Sequence, residues 1–356
     1  MKTAPSRSDD KDDTMKRREF LGAVAAGATL AASRAIAGPA TSGMRSNFSF
    51  KKEDTPVILE VAINGSTTKK INPAVPETAA ELADEAVKCL DAGATIVHVH
   101  TNKPSENVAE AVQAYVDAFT PVRKKHPHAI LYPTANFDPA VYHKNRTVWP
   151  PEVQSGHYRP LAEAGLANMI LLDTGVVPLA VYDKNGLIPE KGFWWYGFWP
   201  GDNKIVIDTC NEFGCGTSIS VFEPGWMKNV VAMARAGTLP RGSKLNIYFA
   251  DYGFAGMAPP IPEALQLYLH MIEGLDLKWS VGLVAHDIMD TPLARMALER
   301  GGSFRVGLED WGKGPGNLEQ LERAKELINK VGRPIVTGAD AINYLDIPFP
   351  ATRPKA

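Results

Sequence analysis

Ala94-Thr95-Ile96-Val97-His98-Val99-His100 is a short run rich in β-branched residues that ends in two histidines one residue apart. Such a run reads as a strand, and side chains at i and i+2 of a strand leave on the same face. Both imidazoles therefore stand together at its C-terminal end. Before it, Pro76 to Gly93 carries Leu82, Ala86, Val87 and Leu90 at helical spacing, and after it Glu106 to Arg123 reads as a second helix. The alternation repeats along the chain. Val57 to Ile63 is the first strand and Ala129 to Thr134 the third, followed by a helix over Pro151 to Ala164. Asn168 to Asp173 leads to a helix around Ile205 to Phe213, and Ser218 to Phe222 to one from Trp226 to Ala236. Lys244 to Ala250 pairs with Pro262 to Glu273, Trp279 to Ala285 with Pro292 to Arg300, and Ser303 to Leu308 with Leu318 to Val331. Eight β-then-α units in a body spanning residues 51–356 predict an α/β fold, a (β/α)8 TIM barrel forming one catalytic domain. Neither a G-x-G-x-x-G after the first strand nor a P-loop is present, which argues against a nucleotide-binding open sheet.

In a barrel, the C-terminal strand ends open into the catalytic mouth. That places His98 and His100 at the mouth, together with the end of the eighth strand, Ser303-Phe304-Arg305-Val306-Gly307-Leu308-Glu309-Asp310. Arg305, Gly307 and Glu309 share one parity, so an inward Arg305 lies below a Glu309 that reaches the mouth. An inward Arg and Glu are costly unless paired or liganded. Taken singly, the two histidines equally suit polar residues on a strand edge, and Arg305 with Glu309 a structural ion pair. Taken together, His98, His100 and Glu309 make a three-ligand metal site with open positions. Three protein ligands plus water or substrate is the catalytic pattern of zinc, and the same set suits non-haem iron. Zinc there would polarise a carbonyl oxygen. Arg305 offers a fork for a substrate carboxylate, and Asp310 a base or its orienter.

The chain has 356 residues, 45% of them hydrophobic and 22% charged, with a formal net charge of −2, ordinary values for a globular enzyme. No Lys/Arg block sits among aromatics, so nucleic-acid binding is not expected. The first 50 residues are a separate object. Lys16-Arg17-Arg18-Glu19-Phe20-Leu21 precedes an Ala/Gly-rich apolar stretch to Ala32, and Ala35-Ile36-Ala37 offers a cleavage site before Gly38. This describes a twin-arginine-type export signal and linker, with Met15 as an alternative start. The apolar run is too short to span a bilayer comfortably, so a periplasmic or otherwise exported mature protein with no membrane span is expected. Cys210 and Cys215 suit either a disulfide or two separate buried thiols, and Cys89 a helix core position. One connection is long for a barrel. Residues 176–201 form an aromatic insertion containing Phe193-Trp194-Trp195-Tyr196-Gly197-Phe198-Trp199, suited to a lid over substrate or to packing on itself or on a partner subunit.

Asn64-Gly65, Asn72-Pro73, Pro76, Ala92-Gly93-Ala94 leading into His98-Val99-His100, and Gly301-Gly302 leading into Arg305-Val306-Gly307-Leu308-Glu309-Asp310 resemble, in order, the β-keto acid cleavage enzyme family. The resemblance runs from about Val57 to Leu345. It implies a zinc-bearing TIM barrel, as a homo-oligomer, that carries out a retro-Claisen exchange: a β-keto acid and acetyl-CoA give acetoacetate and a new CoA thioester. It further implies His98, His100 and Glu309 as zinc ligands and Arg305 and Asp310 as catalytic residues. The chain departs from the family pattern in several places. Thr217-Ser218 stands where Pro-Glu is common, and Ala135-Asn136 where a Gly pair is usual. Gly65-Ser66-Thr67-Thr68 lacks an acid found in the best-known member, and His286-Asp287 replaces a Gly-rich turn. His286 is either an added acid/base group or a polar rim residue. An exported protein would also work away from acetyl-CoA, with water as another acceptor. The alternatives are a periplasmic keto-acid-binding protein on a decayed scaffold and an iron enzyme using the same triad.

Overall fold

A computed structural model describes residues 50–101, 103–137, 149–189 and 194–349. The export signal, with Lys16 to Gly38, lies outside the described residues, as does Phe193 of the aromatic run.

Eight parallel strands make the barrel wall: β1 (Glu60–Ala62), β2 (Ile96–Val99), β3 (Ile130–Pro133), β4 (Met169–Asp173), β7 (Gly216–Val221), β8 (Ser243–Ala250), β10 (Lys278–Val284) and β11 (Ser303–Val306). Their order is β3-β2-β1-β11-β10-β8-β7-β4, and helices fill the connections. The ring closes between β3 and β4 through one residue. Asn168 donates its backbone N–H to the Leu131 carbonyl at 3.3 Å, and its side-chain oxygen accepts the Leu131 N–H at 3.0 Å. Its amide NH2 donates to Ala129 O at 2.9 Å, so a side chain stands in for missing ladder bonds.

The strands alternate, but their inward face is polar. Along β8, Leu245, Ile247 and Phe249 share one parity, whereas Lys244, Asn246 and Tyr248 share the other and meet partners from across the barrel. The helices that cover the outer face start and stop on ordinary signals. Ala79–Asp91 opens with a Thr78/Glu81 capping box, and Pro200–Phe213 ends on Gly214 at φ 71°. The span read as one helix over Pro151 to Ala164 is two short helices, Pro151–Gln154 and Tyr158–Glu163, interrupted at Ser155-Gly156-His157. A final helix, Gly338–Leu345, was not read from the sequence. Among the described residues no helix is long and apolar enough to cross a membrane. Cys89, Cys210 and Cys215 are buried free thiols, which settles the cysteine alternatives against a Cys210–Cys215 bond.

The aromatic insertion forms strands rather than a loop. β5 (Val176–Val181) pairs antiparallel with β6 (Trp194–Gly197) on one side and with β9 (Phe254–Ala255) on the other.

Candidate metal centre and its surroundings

Strand register brings the sequence-distant residues together. β1 lies between β2 and β11, with Glu60 beside Arg305 and Ala62 beside His98, and β2 sets His98 beside Tyr132 on β3. His98 Nε2 and His100 Nε2 stand 3.0 Å apart. Glu309 Oε2 is 3.4 Å from His98 Nε2, and Oε1 is 3.4 Å from His100 Nε2. His98, His100 and Glu309 are the group of possible metal ligands found among the described residues.

Each ligand is held from behind. His98 Nδ1 lies 3.2 Å from the Tyr132 carbonyl, which assigns its proton to Nδ1 and leaves Nε2 as the free nitrogen. The Tyr132 ring stacks on the imidazole with centroids 4.2 Å apart. Asn64 pins the backbone of His100 on both sides, donating to its carbonyl at 2.8 Å and accepting its N–H at 2.9 Å. Gly65, at φ 55°, lies against Glu309: a Cβ there would come within 2.3 Å of Glu309 Cγ, so any other residue would displace the carboxylate. Gly307, at φ 131°, approaches Ala62 so closely that a Cβ would meet its carbonyl at 2.2 Å. The turn after β11 is fixed by the helix Asn317–Val331, whose Asn317 Oδ1 accepts Leu308 N–H and whose Gln320 Oε1 accepts Gly307 N–H.

Arg305 lies directly below. Its Nε and Nη2 form a fork on Asp310 at 2.8 and 2.7 Å, and Nη2 is also 3.0 Å from Glu309 Oε1. Nη1 reaches Glu60 and the Tyr132 hydroxyl at 3.4 Å each, and the guanidinium sits over the Tyr248 ring at 5.1 Å. The fork that the sequence offered to a substrate carboxylate is therefore taken by Asp310, and Arg305 is only 2% exposed. Burial works against the charge of Glu309, but Arg305, His100 and His98 hold its carboxyl well below the usual range. Burial pushes the Asp310 carboxyl up against the downward pull of Arg305, and the neighbouring Glu309 and Glu60 charges add to the push. Burial lowers His98 to about 3, so this imidazole is neutral and available as a ligand.

These donors fit a metal ion. Glu309 Oε2 is buried and has no hydrogen-bond partner, an expensive state that a cation would relieve. Nitrogen and oxygen ligands arranged tetrahedrally about 2.0–2.1 Å from zinc stand about 3.3 Å apart, which matches the 3.0–3.4 Å separations of His98, His100 and Glu309. Charge points the same way. Three acids, Glu60, Glu309 and Asp310, face two basic side chains, Arg305 and Lys244. A divalent ion would turn that excess of negative charge into one positive charge, suited to a single substrate carboxylate.

His286, at the end of β10, is a rim residue: its Nε2 is 2.6 Å from Asp251 Oδ2, and both side chains are about half exposed. The backbone turns sharply there, with Ala285 at φ 67°. Asp287 pairs with Arg323 at 2.6 Å. The remaining departures have structural partners. Ser218 Oγ accepts Asn246 Nδ2 at 2.8 Å, Asn136 ties the loop after β2 to Val153, and Thr67 Oγ1 donates to Leu308 O at 2.8 Å.

Across the mouth, on β4, stands Asp173. It is completely buried, accepts the Tyr196 hydroxyl, and is pushed by burial up to about 7 despite hydrogen bonds from Tyr196 and Ser220. Tyr196 itself lies against Phe222 and Trp226, with centroids 5.5 and 6.3 Å away. Asp173, Glu60, Tyr132 and Lys244 were missed from the sequence. The available signal was a lone acid or base inside an otherwise apolar strand, as in Ile58-Leu59-Glu60-Val61-Ala62.

A sequence model of the beta-keto acid cleavage enzyme family matches residues 56–347. Among curated relatives, the chain is 27% identical over 304 residues to the 3-oxoadipate:acetyl-CoA acetyltransferase of Cupriavidus necator, covering 82% of this chain and 95% of the relative. It is 24% identical to the 3-keto-5-aminohexanoate cleavage enzyme of Acetoanaerobium sticklandii, covering 82% and 98%. Among solved structures, apo ObcA superposes with a TM-score of 0.58 at 16% identity, covering 78% of this chain and 66% of ObcA, just under two thirds of its length. That likeness speaks to the fold. The chain belongs to the beta-keto acid cleavage enzyme family.

Proposed function

We propose that this member of the beta-keto acid cleavage enzyme family binds zinc through His98, His100 and Glu309 and cleaves a C–C bond of a β-keto acid. The observation that carries the reading is the convergence of three donors, one of them an unpartnered buried carboxylate oxygen, at the mouth of a (β/α)8 barrel. When bound, the metal supplies Lewis-acid polarisation of a carbonyl oxygen. The chain's own residues do the rest. Tyr132 and Asn64 keep the imidazoles in place. Arg305 orients Asp310 and Glu309 rather than gripping substrate itself. Asp310, raised by burial, takes and returns the proton at its carboxylate. In the acyl transfer this supports, the acyl part of the keto acid passes to CoA, and its acetate part joins the acetyl group of acetyl-CoA as acetoacetate. The names of the Cupriavidus relative and of the 3,5-dioxohexanoate:acetyl-CoA acetone transferase of Paraburkholderia graminis, 23% identical, both carry acetyl-CoA and support it as acceptor.

Residues 1–50 hold a twin-arginine-type export signal and a linker, with cleavage after Ala37. Export would move the mature enzyme away from acetyl-CoA and make water the acceptor. The test is metal analysis of protein purified without added metal, followed by turnover of β-keto acids with and without acetyl-CoA. Zinc near one per chain, and products that depend on acetyl-CoA, are expected for the cytoplasmic form of the chemistry. Cleavage without acetyl-CoA, together with a mature N-terminus at Gly38, identifies the exported hydrolytic form. Iron in place of zinc, or full activity after chelation, overturns the zinc reading.

A further inference from the structure

Below the metal ligands the barrel is filled with charge where most barrels carry branched hydrocarbon. Lys244 Nζ and Glu60 Oε2 are 2.7 Å apart, and both side chains are wholly inaccessible to solvent. Lys244 also donates to Ser280 Oγ at 2.8 Å and to Asn246. A buried ion pair of this kind adds little net stability compared with well-packed apolar side chains of the same volume. The two oxygens of Glu60 face different ways in function. Oε2 meets Lys244, with Asn246 Nδ2 at 3.4 Å, while Oε1 accepts the Tyr132 hydroxyl and lies 3.4 Å from Arg305 Nη1.

We propose that Glu60 is a positioning residue for Arg305 and Tyr132, with Lys244 as its anchor. Arg305 has two edges. One holds Asp310 and touches Glu309, and the other ends on Glu60 and Tyr132. Tyr132 in turn carries the carbonyl that orients His98 and the ring that stacks on it. Glu60 thus touches no metal ligand, yet stands behind both the guanidinium that fixes Asp310 and the tyrosine that fixes His98. Strand register makes this specific, because Glu60 is paired with Arg305 across the β1–β11 ladder. Burial opposes the charge of Glu60, but Lys244 and Arg305 hold its carboxyl down at about 2, so it remains an acceptor throughout the physiological range.

The inference rests on the metal-assisted β-keto acid reading, and its test keeps the two apart. The double variant Glu60→Leu with Lys244→Met removes both charges and leaves neither unpaired. It is expected to keep the parent's metal content and thermal midpoint, while kcat falls about 10- to 100-fold, the usual effect of losing support behind a metal site, with little change in KM. A folded double variant with parental kcat overturns the proposal and leaves the pair as structural filling. Should the double variant not fold, Tyr132→Phe removes one hydroxyl and leaves the ion pair intact. A kcat loss of about fivefold is then expected, non-additive with that of Glu60→Gln, and additive or absent losses overturn the proposal. If the parent turns over no β-keto acid with or without acetyl-CoA, the functional reading fails by itself. Calorimetric binding of acetoacetate to the metal-loaded proteins then decides the positioning role: affinity weakened about tenfold in the double variant supports it, and unchanged affinity rejects it.

Discussion

Two acids end strands on opposite sides of one barrel mouth, and their surroundings drive them in opposite directions. Glu309 follows β11, and Asp173 ends β4, which the strand order places half a turn of the barrel away. Both are deeply placed, so burial raises both. Around Glu309 the downward pull wins, led by the Arg305 guanidinium, and its carboxyl stays well below the usual range. Around Asp173 burial outweighs the downward pull of hydrogen bonds from Tyr196 and Ser220 and of the more weakly acting Arg305 charge. An ionised acid with a free lone pair suits a cation, whereas an acid near neutrality suits a hydrogen bond that ties one element to another. One side of the mouth is built for charge, and the other closes the small sheet of β5, β6 and β9 onto the wall strand β4 through Tyr196 and Asp173.

The largest effect should come from the charged side. His100→Ala removes one of the proposed ligands, and turnover is expected to fall on the order of 10³-fold with loss of bound zinc. Turnover and metal content are read on the same preparation, and retention of both would remove the triad from the mechanism. The closure side should respond in stability and in its pH dependence. A carboxyl whose folded value lies above its unfolded one keeps a proton that the unfolded chain has released. Asp173 therefore costs stability progressively as pH rises from 3.8 to about 7, and the cost is constant above that. Asp173→Asn has no such proton, so it should gain on the parent across this window by up to about 4 kcal/mol. Urea midpoints at either end of the window measure the gap, and a gap that does not change with pH would erase the contrast with Glu309. Smallest of the three is Tyr196→Phe, which takes a donor from Asp173 and should cost about 1–3 kcal/mol. Its zinc content should equal the parent's, and zinc loss would show that the two sides of the mouth are not separable.

The same contrast explains what was legible in the chain. β2 and β11 carry functional groups at or near their ends, where a two-residue period and a barrel topology suffice to bring His98, His100 and Arg305 together. β11 ends at Val306 rather than Leu308, and the turn after Gly307, not strand parity, brings in Glu309 and Asp310. The interior was not legible. Period-two patterning in Lys244-Leu245-Asn246-Ile247-Tyr248-Phe249 shows two faces, but not that the polar one turns inward. Glu60 and Lys244 find each other across the barrel, a pairing that depends on the register of several ladders rather than on any local spacing. Asp173 and Tyr196 are 23 positions apart with a reversal between them, so their bond follows from how β5 and β6 pair. The long aromatic stretch read as a loop because its strands are short and only partly buried: Val177 and Ala180 are buried, while Val176, Val181 and Trp195 stay exposed.

Roughly two hundred residues separate His100 from Glu309, and β11 reaches its place only by sliding between β1 and β10. During synthesis the paired histidines emerge early, as half a binding site, and wait for almost the whole barrel before the third donor arrives with the last wall strand. On the proposed metal reading, capture of an ion would be tied to completion of the ring: a truncated or stalled chain presents two imidazoles but no third donor. A bound ion would then mark that folding has run to the end, because the donor set is complete only once β11 stands beside β1.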